Sequence, residues 1–321
     1  MTKSKIKNFF VCLFIFSLPF TLYPLLSKQV NAQSVKLGIY PPILQIMIQP
    51  GKSITQVYKI DNQSDPAIIT SSVVPFSPLD NIGNISLVDC ANLAVLGCES
   101  LPWISFQNAD LRLGQSFFLG SDRQQEVVLK ISVPEYAAEG DYYNTILFST
   151  QAPPGSVDSK SRATVTIGSN ILITVSKDGN PDRKIVIDKF ESLHLYDSFD
   201  QIPVDISVKN IGQAYTNVKG SVTLSGFPGL QSSFTIPPTN ILAGTSRTLF
   251  STPSASVDNS LTLSKGFYIG KYKLNLFLTS EYGKEAEEQI YFFALPYKII
   301  LVIFVTFIIF IFMKKLLKGK K

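Results

Sequence analysis

Apolar and polar residues alternate with a period of two along most of the chain between residues 33 and 294. The alternation is clearest in Val127–Val133, Val204–Lys209 and Tyr272–Leu276. Such alternation predicts β-strands that pack one face against a core and expose the other to solvent, as in antiparallel sheets. The same region shows no amphipathic helix of convincing length. The sequence therefore predicts an all-β fold of many short strands, in the β-sandwich class.

The order of events along the chain repeats on either side of the polar segment Lys177–Asp182. In both parts a strand runs into an asparagine and a turn, at Asn62 and at Asn210. In both parts a glycine two residues before a tyrosine introduces a strong strand, at Tyr142 and at Tyr272. That arrangement is typical of the tyrosine corner of immunoglobulin-like domains.

The repeat predicts two tandem immunoglobulin-like β-sandwiches followed by a single transmembrane helix. The first covers residues 33–178 and the second covers residues 183–294. The linker between them is residues 179–182, which are polar and include glycine and proline.

The N-terminal segment has the pattern of a secretory signal. Lys3, Lys5 and Lys7 precede the apolar run Phe9–Phe20, and Val30-Asn31-Ala32 then supplies small residues before a cut. This pattern predicts a signal peptide over residues 1–32, cleaved between Ala32 and Gln33. The alternative is an uncleaved anchor, although prolines within the segment disfavour a long spanning helix.

The C-terminal segment has the pattern of a membrane anchor. Ile299–Met313 is apolar except for Thr306, and the preceding residues extend it to about the 20 residues that a bilayer core requires. We predict a transmembrane helix from Leu295 to Met313 and a basic cytosolic tail at 314–321. Lysines beside a spanning helix stay in the cytosol. The chain is therefore predicted to be a single-pass plasma-membrane protein with its N-terminus outside and the lipid bilayer as a partner.

The charge of the chain belongs to its two ends. The formal net charge is +5, from 29 basic and 24 acidic residues, and ten of the lysines lie in residues 1–32 and 298–321. Residues 33–297 therefore hold 19 basic against 24 acidic residues, a net charge of −5. Nucleic acid is excluded as a predicted partner, since its binding requires a basic surface.

Two cysteines remain after the predicted cleavage, Cys90 and Cys98. In an oxidising compartment their spacing predicts a local disulfide. We predict no metal site, because two cysteines and the distant His194 cannot supply a closed zinc shell.

Candidate catalytic chemistry is sparse, and the prediction is a non-enzymatic protein without catalytic, cofactor-binding or metal residues. His194 is the one histidine in the chain, and no triad or general-base signature accompanies it. Acidic residues are plentiful, but nothing singles out the pair that glycoside hydrolysis needs. The one tryptophan, Trp103, is either a packing residue or a platform for stacking a sugar.

The layout and several short motifs resemble the WxL-interacting proteins of Gram-positive bacterial surfaces. Gln49-Pro50-Gly51, with a strand into Asp61–Ser64, is similar to that family's opening. Ile131–Pro134, with the later Gly140 and Tyr142-Tyr143, resembles its valine-proline and glycine passage. The resemblance implies a first domain that binds peptidoglycan and a second that binds a host or partner molecule. Tyr142–Thr145 replaces the family's glycine-rich strand start, and the Cys90–Cys98 insertion is foreign to it, so no binding residues carry over.

These observations predict a membrane-anchored bacterial cell-surface protein that binds or scaffolds cell-wall polymer or other surface proteins, as in adhesion. Its contacts would be made by exposed strand edges. The alternative is a sandwich-type chaperone or assembly factor for an exported polymer, and a surface glycan hydrolase is a further alternative. A chaperone should offer an open groove with unpaired strand backbone, whereas an adhesin should present closed sandwiches with an exposed patch.

Overall fold

The computed structural model of the protein describes residues 36–90, 98–151, 164–226, 229–249, 261–263, 266–281, 283 and 285–318. The described chain is mostly β-strand with one apolar C-terminal helix, which confirms the predicted fold class at that level. The predicted signal peptide and its cleavage between Ala32 and Gln33 lie outside the described residues.

The strands are β1 (Leu37–Tyr40), β2 (Ile43–Ile48), β3 (Ser53–Asn62), β4 (Ala67–Pro78), β5 (Ile85–Leu87), β6 (Ile104–Phe106), β7 (Ser116–Leu119), β8 (Arg123–Ser132), β9 (Gly140–Gln151), β10 (Thr166–Val175), β11 (Ile185–Glu191), β12 (Leu195–Asp197), β13 (Ile202–Asn210), β14 (Thr216–Gly226), β15 (Leu230–Ile241), β16 (Ser246–Thr248), β17 (Leu261–Leu263), β18 (Gly270–Ser280) and β19 (Glu285–Leu295).

The first half of the chain, residues 36–178, contains two sheets. One has the order β1-β3-β8-β6, and the other has the order β2-β10-β9-β4-β5 with β7 also paired to β4. The inward residues predicted by alternation form one buried cluster, which includes Tyr58, Leu129 and Phe148. The cis peptide Tyr40–Pro41 lies where the chain leaves β1 in one sheet for β2 in the other.

The second half, residues 183–295, repeats this topology. Its sheets have the orders β11-β13-β16, with β17 also on β13, and β12-β19-β18-β14-β15. As in the first half, the opening strands divide between the sheets, and the second of them runs parallel to the last strand. A separate buried cluster, which includes Tyr272 and Phe292, fills this half. β10 in the first half and β19 in the second half therefore hold equivalent positions.

The repeated asparagines and tyrosines of the sequence occupy equivalent positions. The Asn62 and Asn210 side chains are fully buried, and each amide donates to backbone carbonyls that belong to turns or to another strand. The Tyr142 hydroxyl donates to the Ala138 carbonyl at 3.0 Å, and the Tyr272 hydroxyl accepts from the Ile269 N–H at 3.1 Å. Buried polar groups paired to backbone in this way fix the ends of the strands.

A hydrogen-bonded joint links the two halves. The Asp141 carboxylate accepts from the Tyr143 hydroxyl at 2.6 Å, from the Thr174 hydroxyl at 2.7 Å and from the Tyr215 N–H across the joint. The Tyr143 hydroxyl accepts in turn from the Ala243 N–H at 3.0 Å. Burial raises the pKa of the Asp141 carboxyl despite the hydrogen bonds that it accepts.

The apolar C-terminal segment forms one helix, α1 (Tyr297–Lys318). Leu295, the predicted start of the transmembrane helix, is the last residue of β19, and the helix continues past Met313 into the lysines. Lysine is a good helix former, so backbone hydrogen bonding does not stop where the apolar residues end. Tyr297–Lys315 is long and apolar enough to cross a membrane, and none of its most apolar window is buried against the rest of the protein.

A disulfide joins Cys90 to Cys98, with 5.9 Å between the two Cα atoms. Cys98 is fully buried and begins a short 3-10 helix, Cys98–Trp103. The buried Ser100 in this helix exchanges hydrogen bonds with the Asn144 side chain on β9. The disulfide therefore closes its loop at a point that is already fixed to the core.

We expect the double substitution Cys90→Ser and Cys98→Ser to destabilise the first half by about 2.5 kcal/mol, because loop-closure entropy for so short a loop has that size. The measurement is chemical denaturation of the wild type and the variant, each with and without reductant. Reductant should lower the wild type to the stability of the variant and leave the variant unchanged. Equal stability of the two oxidised proteins would contradict the expectation.

Candidate functional site

One stretch of β10 has no described strand beside it on its outer side. The full length of β10 pairs with β9, but β2 pairs only with Asn170–Val175. On the side away from β9, no described strand pairs with Thr166–Ser169, which we call the open edge. An unpaired edge of this kind is a ready template for the addition of another strand.

The backbone polar groups of the open edge point outward. The Val165 carbonyl accepts from the Thr150 N–H on β9 at 2.9 Å, whereas the Ser176 N–H donates to the Ile48 carbonyl on β2 at 3.1 Å. Backbone groups of successive strand residues point to opposite sides, so the odd-numbered residues of β10 face β9. The N–H and C=O groups of Thr166 and Gly168 therefore face the side where β2 has ended.

Apolar side chains of β10 and of the nearby strand β1 pack into the core of the first half. Ile167 on β10 and Leu37 and Ile39 on β1 are partly buried and pack against the core of the first half. Behind them, the Ser169 hydroxyl donates to the fully buried Tyr58 hydroxyl at 3.4 Å. Burial raises the pKa of Tyr58 to about 12, so this pair is uncharged at neutral pH. The edge thus combines unpaired backbone with a neutral, apolar lining.

The equivalent edge in the second half is acidic. All but the last residue of β18 pair with β19, whereas β12 pairs only with the last three residues of β19, Phe293–Leu295. The outer side of the earlier part of β19 carries the exposed residues Glu285, Glu287 and Glu288. Glu288 pairs with the buried Leu276 on β18, so its side chain lies on the face of the sheet that is directed toward the core. Charges on an edge strand disfavour pairing with a further strand.

Two residues singled out by the sequence are not part of the open edge. His194 is exposed between β11 and β12, where its backbone carbonyl accepts from the Phe293 N–H at 2.8 Å. Trp103 is 8% exposed, and its ring lies 4.5 Å from the Tyr142 ring, so it is a packing residue and not a platform for a sugar. Within the ranges that the structure describes, no three His, Cys, Asp or Glu side chains are grouped to hold a metal ion.

A cleft of about 330 Å³ lies between the two halves and is lined by both. On one wall, the Arg247 guanidinium packs directly on Gly83, where a Cβ atom would lie 1.6 Å from Nη1. Next to it, the Thr248 N–H donates to the Asn81 carbonyl at 2.7 Å. These contacts hold the loop before β5 against β16, so the cleft is part of the joint between the two halves. We therefore take the open edge, and not this cleft, as the candidate site.

Comparison with known proteins gave no family and several similar structures. No protein-family model matches the chain, and no curated protein matches it. Similar solved structures include the class 5 fimbriae chaperone CfaA, at 13% identity over 81% of this chain and 100% of that chain, with a TM-score of 0.39. The E. coli chaperone DraB is similar at 13% identity over 81% of this chain and 97% of that chain, with a TM-score of 0.38.

The Salmonella enterica SafA pilin in complex with the SafB chaperone is a third, at 13% identity over 82% of this chain and 97% of that chain, with a TM-score of 0.37. At this identity and these TM-scores, the similarity assigns neither a family nor a function to the chain.

Proposed function

We propose that this protein is a membrane-anchored, non-enzymatic assembly factor that holds an extended segment of another exported protein by strand addition at the open edge. The proposal favours the chaperone alternative over the binding of cell-wall polymer. It keeps surface proteins as the class of partner.

The outer side of Thr166–Ser169, which no strand in the described part of the chain pairs, carries this proposal. Two N–H and two C=O groups, from Thr166 and Gly168, face outward there, and each backbone hydrogen bond made to a partner strand contributes about 0.5–1.5 kcal/mol. An extended segment beside β10 would also bring alternate side chains next to the partly buried Ile167. Strand addition uses this combination of backbone pairing for affinity and apolar pockets for specificity.

The contrast between the two edges supports a specific site. The second half has the same topology and a longer stretch, Glu285–Phe292, that no described strand pairs on its outer side, but that stretch carries exposed glutamates. If open edges were incidental to this fold, both would be expected to carry protective charges. The lack of charged residues on the open edge of the first half therefore supports its use as a binding site for a partner strand.

The layout of the chain supports the setting of the proposal. Two immunoglobulin-like β-sandwiches in tandem would stand outside the cell, with α1 spanning the membrane and the lysine tail in the cytosol. The resemblance to the WxL-interacting proteins fits the same layout of a secreted chain with a C-terminal anchor. The burial of Trp103 removes the aromatic platform that a polymer-binding role would have used.

The test is photo-crosslinking in the native host. A benzoylphenylalanine placed at Thr166 in the full chain should form an adduct with an exported protein. The matched control is the same residue placed at Gln289, the equivalent position of β19. Mass spectrometry of the adduct should identify one contiguous segment of the partner, because strand addition presents a single extended stretch to the edge. Equal labelling from both positions, or none from Thr166, would remove the proposal.

A further inference from the structure

Exposed apolar side chains gather at the end of the second half from which α1 leaves. Six of them, which we call the juxtamembrane patch, are Leu193, Leu195, Phe199, Phe267, Phe293 and Tyr297, and each is 44–66% exposed. The Phe199 and Phe267 rings lie 5.2 Å apart, and Leu195 pairs with Phe293 across β12 and β19. Leu193, Leu195, Phe199 and Tyr297 share one shallow depression. A continuous exposed apolar surface of this kind marks an interaction site.

The patch is fixed to the first turn of α1. The Lys298 N–H donates to the Asp197 carboxylate at 2.9 Å, and the Lys298 ammonium pairs with Asp200. The Ser198 N–H donates to the Leu295 carbonyl at 3.2 Å, and the Ser198 carbonyl accepts from the Tyr268 N–H at 2.9 Å. The short connection at Pro296 is therefore not a free hinge, and the loops that carry Phe199 and Phe267 move with the helix.

The level of the patch relative to a bilayer follows from the helix. The apolar stretch begins at Tyr297, and an α-helix rises about 1.5 Å per residue. A bilayer spanned by α1 must then begin within about one turn of Tyr297, at the same level as the loops that Lys298 holds. Aromatic side chains at that level lie among the lipid headgroups, where their rings are favoured.

Charge around the patch also fits a lipid surface. Lys271 and Lys273 on β18 lie opposite Phe293 and Tyr291, and the Lys271 ammonium is 4.4 Å from the centroid of the Tyr291 ring. Lysines beside exposed aromatic residues attract anionic headgroups. The nearby carboxylate of Asp200 is paired with Lys298.

We propose that the juxtamembrane patch lies in the headgroup layer of the bilayer that α1 spans, so that the second half is docked on the lipid surface. The inference rests on the membrane anchor of the proposed function. Docking would hold the second half in one orientation, with the joint and the first half directed away from the lipid.

The test uses tryptophan fluorescence of the full chain in nanodiscs that contain brominated lipids. Phe199→Trp and Phe267→Trp place reporters in the patch. Phe118→Trp is the matched control on β7 of the first half, at a phenylalanine that is 69% exposed. Phe304→Trp reports on the middle of α1. Wild-type protein supplies the background of Trp103.

Both patch reporters should lose fluorescence with bromine placed high on the acyl chain and lose less with bromine near its end. Phe304→Trp should show the opposite depth dependence, and Phe118→Trp should be unaffected. Quenching of Phe304→Trp without quenching of either patch reporter would overturn the docking and leave the anchor standing. The absence of quenching at all three positions would overturn the anchor as well, and equal quenching at Phe118 would overturn docking by the patch.

Discussion

Replacing Thr166 with proline is expected to weaken capture of an extended peptide at least about tenfold. Proline removes the outward N–H of Thr166 and places its ring on the side where the partner strand must approach. The strand itself should persist, since Thr166 is its first residue and its N–H does not pair with β9. The measurement is fluorescence anisotropy of a labelled peptide from the crosslinked segment, titrated with the full chain in nanodiscs.

Gln289→Pro is the matched control for this substitution. Thr166 lies four residues before Asn170, where β2 begins to pair, and Gln289 lies four residues before Phe293, where β12 begins. The Phe293 N–H donates to the His194 carbonyl, directly before β12, so by alternation the N–H of Gln289 also faces outward. Gln289→Pro should therefore leave peptide affinity unchanged.

The peptide itself offers an independent check. Methylation of its backbone nitrogens should abolish binding at alternate positions only, because alternate residues of an added strand face β10. Equal losses at every position, or equal losses from Thr166→Pro and Gln289→Pro, would show that the open edge does not bind by strand addition.

Local features of the fold could be predicted from the sequence because they depend on near neighbours. Alternation in Val127–Val133 places Val127, Leu129, Ile131 and Val133 in the core, as the structure shows. The Tyr142 hydroxyl donates to the Ala138 carbonyl, only four residues earlier in the chain. A glycine two residues before a tyrosine was therefore enough to indicate the start of this strand. The apolar run of α1 was equally visible.

The open edge could not be predicted, because it depends on where a distant strand stops. Thr166 and Asn170 both belong to β10, yet only Asn170 has β2 beside it, from residues more than a hundred positions earlier. Register of this kind is set by tertiary packing and not by local pattern. The one local signal was the lack of charge in Thr166–Ser169 compared with the glutamates at the start of β19. The joint through Asp141 and Tyr215 was missed for the same reason.

Ending the chain after Pro296 is expected to release it completely from membranes. The deletion removes the whole apolar span, Tyr297–Lys315. About 20 apolar residues hold a helix in the bilayer with effectively no return to water, whereas surface docking by aromatic side chains alone is reversible. The measurement is extraction of membranes with alkaline carbonate, followed by immunoblotting of pellet and supernatant. Full-length protein should stay in the pellet, and the truncated chain should move to the supernatant.

The truncated chain should also remain folded, because α1 buries none of its apolar window against the strands. Its loss removes the exposed Lys298–Asp200 ion pair, which contributes at most about 1 kcal/mol, and the hydrogen bond from the Lys298 N–H to the buried Asp197 carboxylate, which contributes about 1.5–3 kcal/mol. The thermal midpoint should therefore fall by less than about 16 °C. A matched control replaces Ile299–Met313 with leucines and should remain in the membrane pellet, since length and hydropathy suffice for spanning. Retention of the truncated chain after carbonate, or release of the leucine variant, would show that the helix does not anchor the protein by crossing the bilayer.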